Sequence, residues 1–205
     1  MPAQLSINPT RSAVMSMDYM TGIVSIYAKD NQEKLTSRAA SVLKEARSLG
    51  MPVIHVQVAF RPGLPEVSER NQLFGAIKTS EQHQQLFKGA YGAIHAAVAP
   101  LEDEVVITKH RVSAFEGTDL EMILRAGDID TLIMFGIATS GVVLYSLLHA
   151  ADRDYRLIVI KDCCVDTDRE VHDCLVEKIF SRQAAIVAAR EFIESLKSIR
   201  VSTAE

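Results

Sequence analysis

The chain is poor in cysteine: Cys163, Cys164 and Cys174 are the only three in 205 residues. The count is odd and two are adjacent, which excludes a disulfide framework. Nine residues separate Cys164 from Cys174, a spacing unlike that of a zinc ribbon, and no histidine pair stands at i, i+4 nearby. Reduced thiols in a reducing compartment are the expectation. Long apolar runs are lacking too, since none approaches the roughly 18 residues of a membrane span. No segment is rich in Lys and Arg, and a net charge of −4 with a pI near 5.9 leaves no electrostatic footprint for nucleic acid. The opening "MPAQLSINPTRS" lacks the basic-then-apolar order of a secretory leader. Internal repeats and low-complexity segments are absent. The chain therefore reads as soluble and cytoplasmic, with neither nucleic acid nor membrane as a partner.

What is present is ordinary in bulk and ordered in pattern. Apolar residues make up 48% and charged residues 23%, as in globular proteins generally, and 205 residues suit one domain with a real core. Short, nearly continuous apolar runs at 12–18, 52–60, 104–109, 131–138 and 156–164, with a weaker one at 184–189, read as strands covered on both faces. Helical patterns alternate with them at 24–50, 118–127, 140–155 and 168–180. The third strand is followed by Thr118 with Glu121 three residues on, a capping box. The alternation predicts a three-layer α/β/α domain over 1–205 around a mostly parallel, Rossmann-like sheet of about six strands. The turn-rich, polar stretch 60–103 is too long for a plain connection. It reads as an excursion that serves as a lid or an oligomer contact.

In such sheets ligands bind outside the carboxyl ends of the strands. Asp18, the segment Lys109-His110-Arg111, the junction "GIATSGV" (136–142) and Asp162-Cys163-Cys164 are the strand-end candidates. Asp18 closes a buried strand, where a carboxylate is costly unless paired. Lys109 by itself is an ordinary solvated lysine. The two together, ending neighbouring strands, would pair and hold each other in place. His110 and Arg111 follow Lys109 and could face a substrate, although Arg111 also suits the surface. The small residues of 136–142 let a ligand approach the backbone, and amides at a helix start suit an anion or oxyanion. The junction is neither a G-x-S-x-G elbow nor a dinucleotide loop. Cys163 and Cys164 read first as small buried hydrophobes, and His55, within an apolar strand, as a core histidine. Asp162, Asp166 and Asp168 lack EF-hand spacing.

An Asp ending strand one, a Lys ending strand three and a G-x-x-T-x-x-[Cys] elbow after strand four form a series that resembles the isochorismatase-like, or cysteine hydrolase, family. "MDYMTGIV", "ITKHRVSAFEGTDLEMIL" and "DTLIMFGIATSGVVLYSLLHAADRDYRLIVIKDCC" carry the resemblance, which extends from about residue 11 to 197. It implies a hydrolase acting on a C–N amide or enol-ether bond of a small molecule, without a cofactor, as a dimer or tetramer. Asp18 would be the base or acid and Lys109 its electrostatic partner. The amides of Ala138 and Val142 would form the oxyanion hole, with a cis peptide at Ile137–Ala138. The nucleophile's position falls on Val142, which has no attacking atom. The family's glutamine two residues after the Asp is Met20 here. The Asp and two His of a metal-dependent relative are missing after strand two, where only His55 stands, so no metal is expected. Tyr19, Phe60, His110 and Phe115 are the substrate-contact candidates. Two other readings stand beside the hydrolase: a catalytically silent relative used for binding or assembly, and covalent catalysis through Cys163 or Cys164.

Overall fold

The computed structural model describes Leu5 and residues 7–202. Residues 1–4 and 6, part of the stretch read above for a leader, lie outside the described residues. The six apolar runs are strands: β1 (Ser12–Met17), β2 (Val53–Val58), β3 (Val105–Lys109), β4 (Thr131–Gly136), β5 (Arg156–Ile160) and β6 (Ala185–Val187). They lie in the order β3-β2-β1-β4-β5-β6, and every neighbouring pair is parallel. β1 and β4, at the centre, are buried at every position, as continuous apolar runs demand when helices cover both faces.

The helices are α1 (Thr21–Tyr27) and α2 (Gln32–Ser48) after β1, α3 (Gln72–Thr79), α4 (Glu81–Gln85) and α5 (Gly89–Gly92) in the excursion, α6 (Leu120–Ala126) after β3, α7 (Leu144–Ala151) after β4, α8 (Arg169–Cys174) after β5 and α9 (Ala189–Ser202) after β6. α2 buries Leu35, Ala39, Val42, Leu43 and Ala46, one stripe at helical spacing. It lays that stripe on β1 and β2, beside α9. Gly22 in α1 lets the excursion come close: a Cβ there would sit 3.0 Å from Leu86 O and 3.2 Å from Tyr91 O.

Several boundaries differ from the sequence expectation. The helix expected over 24–50 is two helices, divided by the turn Ala28–Asn31. Asp30 and Asn31 sit in that turn, and their side chains compete with helical hydrogen bonding. The capping box does not form. α6 starts one residue later, Thr118 Oγ1 accepts from Leu120 N, and Glu121 turns to Arg125 and Tyr155. β5 stops at Ile160 rather than at Cys164, because the backbone turns into a 3-10 helix over Lys161–Cys163, with Cys164 N donating to Lys161 O at 3.1 Å. In that turn Asp162 Oδ1 accepts from Ala189 N at 2.7 Å, and Asp162 Oδ2 pairs with Arg38 at 3.2 Å.

Gly136 is small for a reason other than ligand access. A Cβ there would lie 2.6 Å from Met17 O and 2.8 Å from Met17 Cβ, so β1 and β4 could not keep their register, in which Met17 faces Gly136. Overpacking of this kind costs about 1–3 kcal/mol. Gly136→Ala should lose about that much in urea denaturation. Gly127→Ala, whose Cβ would meet nothing nearer than Ile129 Cγ1 at 3.4 Å, should change stability by less than about 0.5 kcal/mol.

Candidate active site

The chain runs outward from β1 through β2 to β3 and then returns to place β4 beside β1. The carboxyl ends of β1 and β4 therefore flank a switch point, the position where open parallel sheets leave a crevice. Asp18 is the first residue past β1. Its N–H still bonds Val56 O of β2 at 2.8 Å, and its φ of +55° is the left-handed conformation that Asp tolerates better than most residues.

Lys109, at the end of β3, reaches across the end of β2. Its Nζ lies 2.8 Å from Asp18 Oδ2, with 2% and 9% of the two side chains exposed, and it also donates to Arg111 O at 3.1 Å. Asp18 Oδ1 is buried and has no hydrogen-bond partner among the described residues. Burial pushes the Asp18 carboxyl above its ordinary value of 3.8, against the opposing pull of the Lys109 ammonium.

The elbow follows β4. The Ile137–Ala138 peptide is cis, and Thr139–Val143 forms a wide turn in which Gly141 takes the non-helical φ −99°, ψ −112°. The loop after β5 holds its far side: Thr139 N donates to Val165 O at 3.0 Å and Ser140 N to Asp166 Oδ2 at 2.7 Å. Thr139 Oγ1 lies 2.8 Å from His172 Nδ1. On the near side Ile137, Ala138, Gly141 and Val142 face a cavity of about 340 Å³, whose floor includes Asp18, Lys109 and Val58. Ala138 O accepts from Gly141 N and Val143 N.

The cavity walls come from residues that the sequence did not single out. Ile23, Ile26 and Tyr27 of α1 form one, Phe74 and Ile77 of α3 another, and His83 with Leu86 and Phe87 a third. Each group repeats helical spacing along one face, the signal by which the walls were findable. Burial first, then the Asp166 and Asp18 carboxylates, push the Tyr27 phenol upward.

The structure thus brings together Asp18, Lys109, Ala138 and Val142. Four other candidates lie elsewhere. Tyr19 is buried, donates its hydroxyl to Cys163 O at 2.6 Å and packs edge-on against Phe135. Phe60 stands behind the wall, edge to face with Phe74 and Phe87. His110 Nδ1 lies 2.6 Å from Ala59 O and 3.5 Å from Glu66. Phe115 stacks on His149. Arg111 braces the excursion, donating to Glu66 O and lying over Phe74. Met20 turns its sulfur to Val58 N. His55 is buried, with Nε2 3.1 Å from Glu104 and Nδ1 unpartnered. Among the described residues no group of three or more His, Cys, Asp or Glu side chains is gathered to hold a metal ion, and no helix is long and apolar enough to cross a membrane.

The chain belongs to the isochorismatase family: the family's model, described as an isochorismatase domain, matches residues 12–191. A maleamate amidohydrolase of Pseudomonas putida is 26% identical over 194 residues, 92% of this chain and 88% of that protein. Among solved structures, an isochorismatase family protein from Burkholderia thailandensis superposes with a TM-score of 0.82 at 23% identity, over 94% of this chain and 98% of that one. A cysteine hydrolase from Pseudomonas syringae gives the same TM-score at 21% identity, over 94% and 95% of the two chains. These likenesses agree with the fold read from the sequence.

Cys163 and Cys164 do not line the cavity. Burial pushes Cys164 up to about 12 and Cys163 well above the usual thiol range, whereas Cys174 is exposed. Iodoacetamide on the native protein should therefore add one carbamidomethyl group, at Cys174, in intact-mass measurement.

A second expectation concerns the ion pair. Because the folded Asp18 value is raised, its ionisation opposes folding. That cost is absent below 3.8, where folded and unfolded chains both hold the proton, and it grows as pH rises through the folded value. Lys109→Met leaves this charge unpaired and should destabilise by about 3–5 kcal/mol at neutral pH. The gap from the wild type should narrow on acidification, as read by urea denaturation at a series of pH values.

Proposed function

We propose that the protein is a hydrolase that cleaves a C–N amide bond of a small molecule by direct attack of water, without a covalent intermediate. The observation that carries the reading is the Asp18 carboxylate at the cavity floor, held by Lys109 at 2.8 Å, beside an elbow whose position 142 is a valine. Lys109 holds the Asp18 carboxylate through Oδ2 at 2.8 Å, and that carboxylate takes a proton from the attacking water and returns it to the leaving nitrogen. The amides of Ala138 and Val142 are assigned to the developing oxyanion, in support of which both residues line the cavity with Asp18. On the family resemblance, position 142 is taken as that of the nucleophile, and a valine there has no attacking atom, which closes the thioester route at that residue.

The same proton relay run in the acid direction suits an enol ether, the other bond class consistent with the site. This reading takes the protein to be a homo-oligomer, a dimer or tetramer, on the family resemblance alone, and cytoplasmic on the composition and cysteine usage of the chain. A silent binding or assembly protein is the second reading, and the valine at position 142 is what favours it. Asp18→Asn separates the two. On an amide panel the hydrolase reading expects turnover by the wild type and a loss of about 10²–10⁴-fold in the variant, with circular dichroism unchanged. Absence of turnover in the wild type together with retained ligand binding, or equal rates in the two proteins, would sink it.

A further inference from the structure

The cavity's chemistry limits what can enter it. Its wall is aliphatic and aromatic from rim to floor, with Phe74, Ile77, Phe87, Val112 and Val142 among its members. The rim is apolar as well: Ile26 and Leu73 are 41% and 59% exposed there. Only four side chains of the lining are ionisable: Asp18, Lys109, Tyr27 and His83. His83 is exposed and stands at the rim. No arginine lines the space.

Lys109 is the sole ammonium at the floor, and its charge is matched by Asp18 at 2.8 Å. A carboxylate brought to the floor would leave water for an apolar enclosure without gaining a free cation. It would also meet the Asp18 charge. A neutral carbonyl faces neither cost, because its oxygen needs only a hydrogen-bond donor and its remaining surface is apolar.

We infer that the substrate is an uncharged, compact hydrophobic amide that carries no carboxylate, and that the Asp18–Lys109 pair is the element that rejects acids. The volume of about 340 Å³ lies at the small end for ligand cavities, and since a cavity of about 150 Å³ takes one benzene ring, a body of one or two rings fits it. The inference rests on the proposed reading of the Asp18–Lys109 site for the bond that is cut. Its substance is a binding preference, measurable without turnover.

The experiment is titration calorimetry on the full chain at neutral pH, with benzamide and cyclohexanecarboxamide against benzoate and cyclohexanecarboxylate. The amides should bind at least about ten-fold more tightly than the matching carboxylates. Equal affinities, a preference for the acids, or no binding of either amide at millimolar concentration would overturn the inference. Asp18→Asn frees the Lys109 charge, so in that variant the carboxylates should gain about ten-fold or more relative to the amides. An unchanged preference there would show that the ion pair is not what rejects acids. Loss of turnover in the same variant tests the hydrolase reading and leaves the wild-type binding comparison untouched.

Discussion

A buried ion pair holds the site together. Asp18 and Lys109 belong to strands that are not neighbours, and the lysine spans the end of β2 to close the gap. Two isolated charges at this depth would each be costly, and together they are tolerable only at close range and with further hydrogen bonds. The lysine obtains its second bond from Arg111 O. One aspartate oxygen obtains none. The sheet thus concentrates its electrostatic cost on a single oxygen atom, and reactive groups are kept at such places.

Around that pair the elements divide the work. The parallel order of the sheet sets β1 and β4 side by side, and the absence of a side chain at Gly136 permits their approach next to the elbow. The loop after β5 grips the outer side of the elbow through Val165, Asp166 and His172. The inner side is thereby free to face the cavity. The excursion adds the walls.

Much of this was legible in the sequence, and what was missed has a physical pattern. Continuous apolar runs marked the central strands β1 and β4 because both of their faces are buried, and the edge strands β3 and β6 kept apolar runs although part of each is exposed. Asp18 and Lys109 were readable because a charge that closes an apolar run demands a partner. The contact candidates Tyr19, Phe60, His110 and Phe115 lie outside the cavity lining. Adjacency in sequence does not fix direction: Tyr19, next to Asp18, points to Cys163 O on the other side of its strand end. Tyr27 and His83 escaped notice because neither lies in a motif, and only the i, i+3, i+4 repetition along their helices reveals the wall. The division of 24–50 into two helices turned on Asp30 and Asn31, residues whose preference for turns competes with an otherwise helical pattern.

The separation of floor from wall has a consequence for how such a protein diversifies. The charged pair and the elbow are fixed by strand ends, where a shift would disturb the whole sheet. The walls of α3 and α4 belong to a surface segment joined to the rest at its ends, at the close backbone contact of Gly22, and through Arg111 and His110, which hold Glu66 and Phe74. Exchanging a few aliphatic residues in that segment would reshape the guest without altering the reagent. On the proposed reading of the site, selection could then explore new substrates one helix face at a time while the charged pair stays inherited and unchanged.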